Sequence, residues 1–323
     1  MNISLVIPLY NEEASVDALF GSIAAQTRPP DEVVCVDAGS TDATVERIGA
    51  RELPCPVRVL RRPRLGPGEA RNEGVSAARH EWIAFTDGGI RLHPAWLASL
   101  ASVASASGAA AVFGSYDPAY DSFVQRTAAL AYVPGRSAGS IRARFVASML
   151  VRRDAFFAAG GFPHHRAAED LIFFECLDRA GVPTAVAPDA VVYWRTASTY
   201  AATFARFAAY SEHNLRAGRG RFWHRRLGLQ SLAVGSALAV GLATGHAAAA
   251  AALVPLWLLA RAVKSVWEKR AGLPFFPWSP AYVFGTALLL AVTDAATWVG
   301  AVRWLRAGRP LAPLAAGAEP WRQ

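Results

Sequence analysis

The chain has 323 residues, 53% of them hydrophobic, with a mean hydropathy of +0.22, a formal net charge of +8 and a pI near 9.9, which excludes an ordinary soluble enzyme of this size. Residues 1 to about 225 mix charge and alternation normally, whereas about 227 to 302 are dominated by Ala, Leu, Val, Gly and Trp, so a soluble front and a membrane back follow. Cys35, Cys55 and Cys176 form no C-x-x-C pair, which excludes a disulfide framework and a zinc site and leaves buried structural thiols.

The opening "MNISLVIPLYNEE" lacks a basic n-region, and Pro8, Asn11, Glu12 and Glu13 cut its apolar run, so it does not read as a signal peptide and the front is expected in the cytosol. Ile3 to Asn11 reads as a strand buried on both faces, after which Asn11 is expected to start a helix with Glu12 and Glu13 in its first turn. The plan repeats with a strand over Glu32 to Val36, an acid at its tip, a Gly39-Ser40-Thr41 turn and Asp42 as N-cap of a second helix. Val57 to Arg62 is a third strand, and the Gly66-Pro67-Gly68 loop feeds a helix around "EARNEGVSAAR". "EWIAFTD" is a fourth strand, followed by two glycines and a new helix.

Such alternation predicts an α/β fold, a mainly parallel sheet with helices on both faces, where ligands bind beyond the carboxyl ends of the strands. Asp37 and Asp87 both stand at those ends. Two carboxylates brought to one rim by separate strands are a functional signal; the plainer alternative is that each caps the helix that follows.

The pieces "LVIPLYNEE", "VDAGSTDAT", "GPGEARNEGVSAA", "FTDGG" and "GGFPHHRAAEDLIFFECLDRAG", in this order over the first 180 or so residues, make the chain resemble a family 2 glycosyltransferase of the GT-A type. Within it, the chain is similar to membrane-anchored members that build bacterial exopolysaccharide or act on lipid-linked glycans. The resemblance implies a nucleotide diphosphate-sugar donor contacted by Pro8, Leu9, Tyr10, Glu12, Asp37 and Arg71. An acid can accept from a base N–H or a ribose hydroxyl, and an arginine can pair with a diphosphate in forked geometry. The family often has two acids where this chain has Asp37-Ala38, so the base of the nucleotide is not assigned.

The family's Asp-x-Asp holds a divalent cation, Mg²⁺ or Mn²⁺, that bridges the diphosphate; here Asp87 is present and Gly89 stands in place of the second acid. Three readings stay open: Asp87 binds the metal with waters and phosphates alone, His93 adds a ligand, or arginines stabilise the leaving diphosphate without a metal. By the same resemblance Asp170 is the general base of an inverting transfer, with Glu169 beside it, on a helix spaced by Leu171, Phe174 and Leu177. Ser148 and Met149 are expected near the cleft. Trp194 and Arg195 stand where relatives carry an aromatic-basic pair over donor or acceptor, and the absence of Gln-x-x-Arg-Trp favours transfer of a single sugar.

Arginines and lysines crowd the membrane boundary at Arg216, Arg219, Arg221, Arg225, Arg226, Arg261, Lys264, Lys269 and Arg270, which fits anionic headgroups and speaks against nucleic acid as a partner. Phe204, Phe207 and Tyr210 suggest an amphipathic face, on the membrane or packed on the front domain. About 34 uncharged residues precede Arg261, too long for one span of about 20 and broken near Thr244 to His246, so they predict a helical hairpin. Pro280 to Val302 is long enough for one more, with Asp294 facing protein or a polar cavity, but three spans put Arg303, Arg306 and Arg309 on the outer side, against the positive-inside tendency.

The expected organisation is a cytosolic catalytic domain over 1–200, an amphipathic basic segment over 201–226, two or three membrane helices over 227–304 and a tail over 305–323. Its expected place is the inner (cytoplasmic) membrane as a multi-pass protein whose acceptor is a lipid-linked or membrane-associated glycan. The alternatives are a membrane scaffold that kept the fold without the catalysis, prompted by Gly89, and a methyltransferase, which lacks the Gly-rich loop after the first strand and leaves Glu169 and Asp170 unexplained.

Overall fold

The computed structural model describes residues 1–136, 139–164 and 168–308. Among the described residues two compact units emerge: residues 1–118 with 136–195, and residues 119–135 with 196–308. The first alternates strand and helix as β1 (Ile3–Leu9), α1 (Val16–Ala24), β2 (Glu32–Asp37), α2 (Thr44–Gly49), β3 (Val57–Arg61), α3 (Pro67–Ala77), β4 (Trp82–Phe85), β5 (Ile90–Leu92), α4 (Trp96–Ser107) and β6 (Ala111–Pro118). Helix α5 (Phe123–Ala131) belongs to the second unit, and the first resumes with β7 (Met149–Arg152), α6 (Arg153–Ala158), α7 (Glu169–Arg179) and β8 (Thr184–Trp194).

The strands form a mixed, mostly parallel GT-A-like sheet in the order β3-β2-β1-β4-β7-β6-β8-β5. Strands β3, β2, β1 and β4 run parallel, β7 turns the direction by pairing antiparallel to both β4 and β6, and β8 runs parallel to β6. The central strands are apolar on both sides because helices cover both faces: Val6, Val34 and Val36 and the rings of Phe85, Phe113, Phe156, Phe162 and Phe173 lie in one core. Helix α3 reaches that sheet closely because residue 74 is glycine, where a Cβ would come within 2.3 Å of Val6 Cγ1. No other residue type leaves room for that approach.

Several expectations are corrected here. Asn11 does not open a helix: α1 begins at Val16, and Asn11, with φ of 54°, turns the chain sharply after β1. Asn11, Glu12 and Glu13 instead lace this turn to the next one, since Asn11 N donates to Ser40 Oγ, Glu12 N to Thr44 Oγ1 and Glu13 N to Asp42 Oδ2. Asp42 lies one residue before the N-cap position of α2 and still accepts from Thr44 N at 3.1 Å. The short strand β5 intervenes between the two glycines and α4 because its backbone pairs antiparallel with β8. Ser148 and Met149 are fully buried, with Ser148 Oγ accepting from Trp96 Nε1 and donating to Ala190 O, and Met149 pairs with Phe85, two residues before Asp87. Only Cys35 of the three thiols is fully buried; Cys55 and Cys176 are half-buried, and all three are free.

The second unit contains α5, α8 (Tyr200–Arg216), α9 (Gly220–Ala243), α10 (Ala247–Lys269) and α11 (Pro280–Ala307). His224–Ala243, Ala247–Lys269 and Pro280–Ala307 are long and apolar enough to cross a membrane. The break expected near Thr244 to His246 separates α9 from α10. Helix α10 continues past Arg261, whose guanidinium meets the Asp294 carboxylate of α11. Residue 300 must be small where α11 crosses α8, because a Cβ there would come within 2.3 Å of Ala208 O. On α8 the Phe207 ring packs edge-on against Tyr132 of the segment that carries α5. The expected tail beyond residue 308, Arg309, and residues 165–167 of "RAAEDLIFF" lie outside the described residues.

Candidate active site

The carboxyl ends of β2, β1 and β4 lie side by side, so the loops leaving them share one rim of the sheet. Asp37 closes β2 opposite Leu9 of β1; it is 4% exposed, and its Oδ1 accepts from Ser40 N at 3.0 Å. Pro8 and Leu9 end β1, while Tyr10 stands 45% exposed just beyond it. Asp87 follows β4 after the buried Thr86, and its backbone carbonyl accepts from Ile90 N where β5 begins.

Arg71 reaches this rim from inside. It lies on α3, is 3% exposed, and its Nη2 donates to Asp87 Oδ1 at 2.7 Å while Nη1 donates to Glu169 Oε1 at 3.4 Å. The Phe162 ring lies beneath the guanidinium, 5.4 Å from its carbon. Burial works against the charge of Arg71, but the carboxylates of Asp87 and Glu169 outweigh it and hold the guanidinium above its ordinary value.

Glu169 and Asp170 open α7, and their position follows from α3 through two backbone bonds. Asn72 Nδ2 donates to Phe162 O at 2.8 Å and Asn72 Oδ1 accepts from Phe162 N at 2.9 Å, fixing the turn before α7. That turn passes through Gly160 at φ of 82° and Gly161 at 65°, which glycine adopts without penalty. Ala168, directly before the acids, also has a positive φ, 80°, without being glycine. Gly68 completes the approach, since a Cβ there would sit 3.1 Å from Glu169 Cγ.

Glu169 is 7% exposed and its Oε2 has no partner among the described residues. Burial, against the pull of Arg71 and aided by the neighbouring Asp170 charge, pushes its carboxyl up to about 6. Asp170 is half-buried; burial first, then the Asp87 charge, raises it above the usual carboxylate range despite the Leu171 N–H and Arg71. The expected apolar spacing of α7 is shifted: Ile172, Phe173, Phe174 and Leu177 are buried, whereas Leu171 is 39% exposed. The buried face follows from Phe173 and Phe174 packing on the phenylalanine core.

Thus Arg71, Asp87, Glu169 and Asp170 stand close enough to perturb one another's charge, with Asp37, Pro8, Leu9, Tyr10 and Glu12 along the same rim. Trp194 ends β8 opposite Ile90, three residues beyond Asp87, and packs edge-on against Tyr116 with ring centres 5.8 Å apart; Arg195 follows it, exposed. His93 is tied to the start of α4, its Nδ1 accepting from Ala95 N and its carbonyl from Trp96 N. Among the described residues no three His, Cys, Asp or Glu side chains gather as they do around a resident metal. Sequence reading gave no positioning role to Asn72, Phe162, Gly68 and Gly74. The first two act on groups 90 residues away along the chain, and only the "RNEG" and "GGFP" strings hint at them.

Residues 4–164 match the family model described as Glycosyl transferase family 2. The validoxylamine A glucosyltransferase of Streptomyces hygroscopicus subsp. limoneus is 36% identical over 124 residues, 36% of this chain and 27% of that protein. The glycosyltransferase AglE of Haloferax volcanii is 31% identical over 175 residues, 50% of this chain and 56% of that protein. The matches therefore span between about a quarter and just over half of these relatives' own lengths. The mannosyltransferase PcManGT of Pyrobaculum calidifontis, solved with GDP-Man and Mn²⁺, superposes with a TM-score of 0.60 at 21% identity, over 95% of this chain and 88% of that one.

Proposed function

From the premise that residues 4–164 are a family 2 glycosyltransferase domain, we propose that the chain is an inverting transferase moving one sugar from a nucleotide diphosphate-sugar to a hydroxyl of a membrane-associated, lipid-linked glycan. What carries this reading is the buried bridge in which Arg71 joins Asp87 at the end of β4 to Glu169 at the start of α7. The bridge ties the partly exposed Asp87 carboxylate to the acids that open α7, at the rim where an activated sugar would lie. The Pyrobaculum neighbour's GDP-Man and Mn²⁺ support a donor of this class.

Pro8, Leu9, Tyr10 and Asp37 hold the base and ribose in this reading, and Trp194 and Arg195 cover the far side of the donor. Asp170 accepts the proton of the acceptor hydroxyl as that oxygen attacks the anomeric carbon, opposite the departing diphosphate. Glu169 keeps Arg71 oriented toward Asp87, and Arg71 stabilises the charge that collects on the leaving group. The oxygen donors at Asp87 suit a hard cation, which when bound neutralises the diphosphate. The apolar helices α9, α10 and α11 keep the chain at the cytoplasmic membrane with the catalytic domain in the cytosol, where a lipid-linked acceptor resides.

The test is nucleoside diphosphate release by the full chain in lipid nanodiscs, with UDP-, GDP- and dTDP-sugars and with lipid-linked or soluble acceptors. Asp170→Asn is expected to lose about 10²- to 10⁴-fold in rate while still binding donor. Undiminished turnover in that variant removes the base assignment, and equal use of soluble and lipid-linked acceptors removes the acceptor assignment.

A further inference from the structure

Residue 89 is glycine, yet the space beside it holds a carboxylate from elsewhere in the chain. A Cβ built on Gly89 would lie 3.9 Å from Glu12 Oε2, and one built on Gly88 would come within 2.6 Å of Glu12 Cγ and 2.9 Å of Glu12 Cδ. The Glu12 side chain thus lies across the Gly88-Gly89 backbone, directly after Asp87. An aspartate at 89 would carry its oxygens one carbon beyond that Cβ, into the region that Glu12 Oε2 already occupies.

Glu12 is held there on several sides. Its N–H donates to Thr44 Oγ1 at 2.8 Å, its carbonyl accepts from Ser15 N at 2.9 Å and Val16 N at 3.1 Å, and its Oε2 accepts from Ser15 Oγ. The left-handed turn at Asn11 sends the chain from β1 into this arrangement. On the other side Arg71 takes Asp87 Oδ1, and the Asp87 side chain is 34% exposed.

We propose that Glu12 supplies the second carboxylate of the divalent-cation site beside Asp87, in the place an acid at position 89 would fill. This inference rests on the donor reading above. Its chemistry is that of a small hard cation, which takes one or two carboxylates and completes its shell with substrate phosphates and water. The two glycines are then part of the site: Gly88 must lack a Cβ for Glu12 to cross, and Gly89 leaves room for its oxygen. Glu12 would have moved the second ligand from the β4 loop to the β1 loop without changing the donor set.

The experiment measures the affinity of the full chain in nanodiscs for UDP, GDP and dTDP, each with Mn²⁺ and with EDTA, and takes the ratio of the two for the nucleotide that binds. The wild-type ratio is expected to be tenfold or more, because ligands sharing one site are linked. Glu12→Gln is expected to bring the ratio about tenfold closer to one, and Glu12→Gln/Gly89→Asp to restore it to within about threefold of wild type. Gly89→Asp alone brings a carboxylate into the region that Glu12 Oε2 already holds, and it is expected to leave the ratio within about threefold of wild type. A Glu12→Gln ratio equal to wild type, or a Glu12→Gln/Gly89→Asp ratio no higher than that of Glu12→Gln, overturns the proposal. Nucleotide binding indifferent to Mn²⁺ in the wild type overturns it too and leaves the donor reading standing, whereas a chain that binds none of the nucleotides overturns that reading itself.

Discussion

Arg71 donates through Nη2 to Asp87 Oδ1 at 2.7 Å from a position that is 97% sequestered, so the only exposed member of the pair is the carboxylate. A buried guanidinium is tolerable only while its partners remain. Arg71→Met is therefore expected to leave Glu169 and Asp87 uncompensated and to cost about 3–5 kcal/mol, read as a lower melting temperature. Arg71→Lys keeps the charge without the fork that spans both acids. It should fold, and its kcat/KM for donor should fall about 10²-fold.

The pH dependence has opposite signs for stability and rate. Glu169 titrates at about 6 in the fold against an ordinary 4.5, so its contribution to stability is full below the ordinary value and is lost as pH rises through about 6. A general base must be ionised, so turnover rises over the pH range in which that stability falls, with its acid limb above the usual carboxylate range because Asp170 is also raised. Paired kcat/KM and thermal-melt profiles between pH 4 and 8, a range set by about two units either side of 6, check this. In Glu169→Gln the stability change over this window should flatten.

Ala168 holds a left-handed conformation, φ of 80°, immediately before the two acids of α7. A residue with a Cβ is strained there by about 1 kcal/mol relative to glycine. Ala168→Gly should raise the melting temperature and loosen the setting of Glu169 and Asp170, lowering kcat more than it changes donor affinity. Ala168→Val should lose on both counts, since a β-branched residue fits this region worst.

In the second unit, Arg261 of α10 meets Asp294 of α11, with the Trp257 ring 4.5 Å from the guanidinium carbon. Both residues lie in segments long and apolar enough to span a membrane, where an unpaired charge is costly. Asp294→Leu or Arg261→Leu alone should destabilise the detergent-solubilised chain by about 3–5 kcal/mol. The double replacement should recover most of that loss, because no charge is left without its partner.

The sequence by itself determined the strand-helix alternation of the front, the rim carrying Asp37 and Asp87, and the hairpin break near Thr244. Those features are local: apolar runs, turn residues and helix lengths fix them over a few residues at a time. Only the tertiary structure decided that Arg71 joins Asp87 to Glu169, that Asn72 sets the turn before α7, that Asn11 turns rather than opens a helix, and that residues 119–135 group with the apolar helices. It also decided that Glu12 lies against Gly88 and Gly89. Each of these depends on partners far apart in the chain, and on backbone groups or missing Cβ atoms whose importance appears only when two segments approach. A residue's type states what bonds it can make; the packing of α3 on β1 and of the β1 turn on the β4 loop states which it does make.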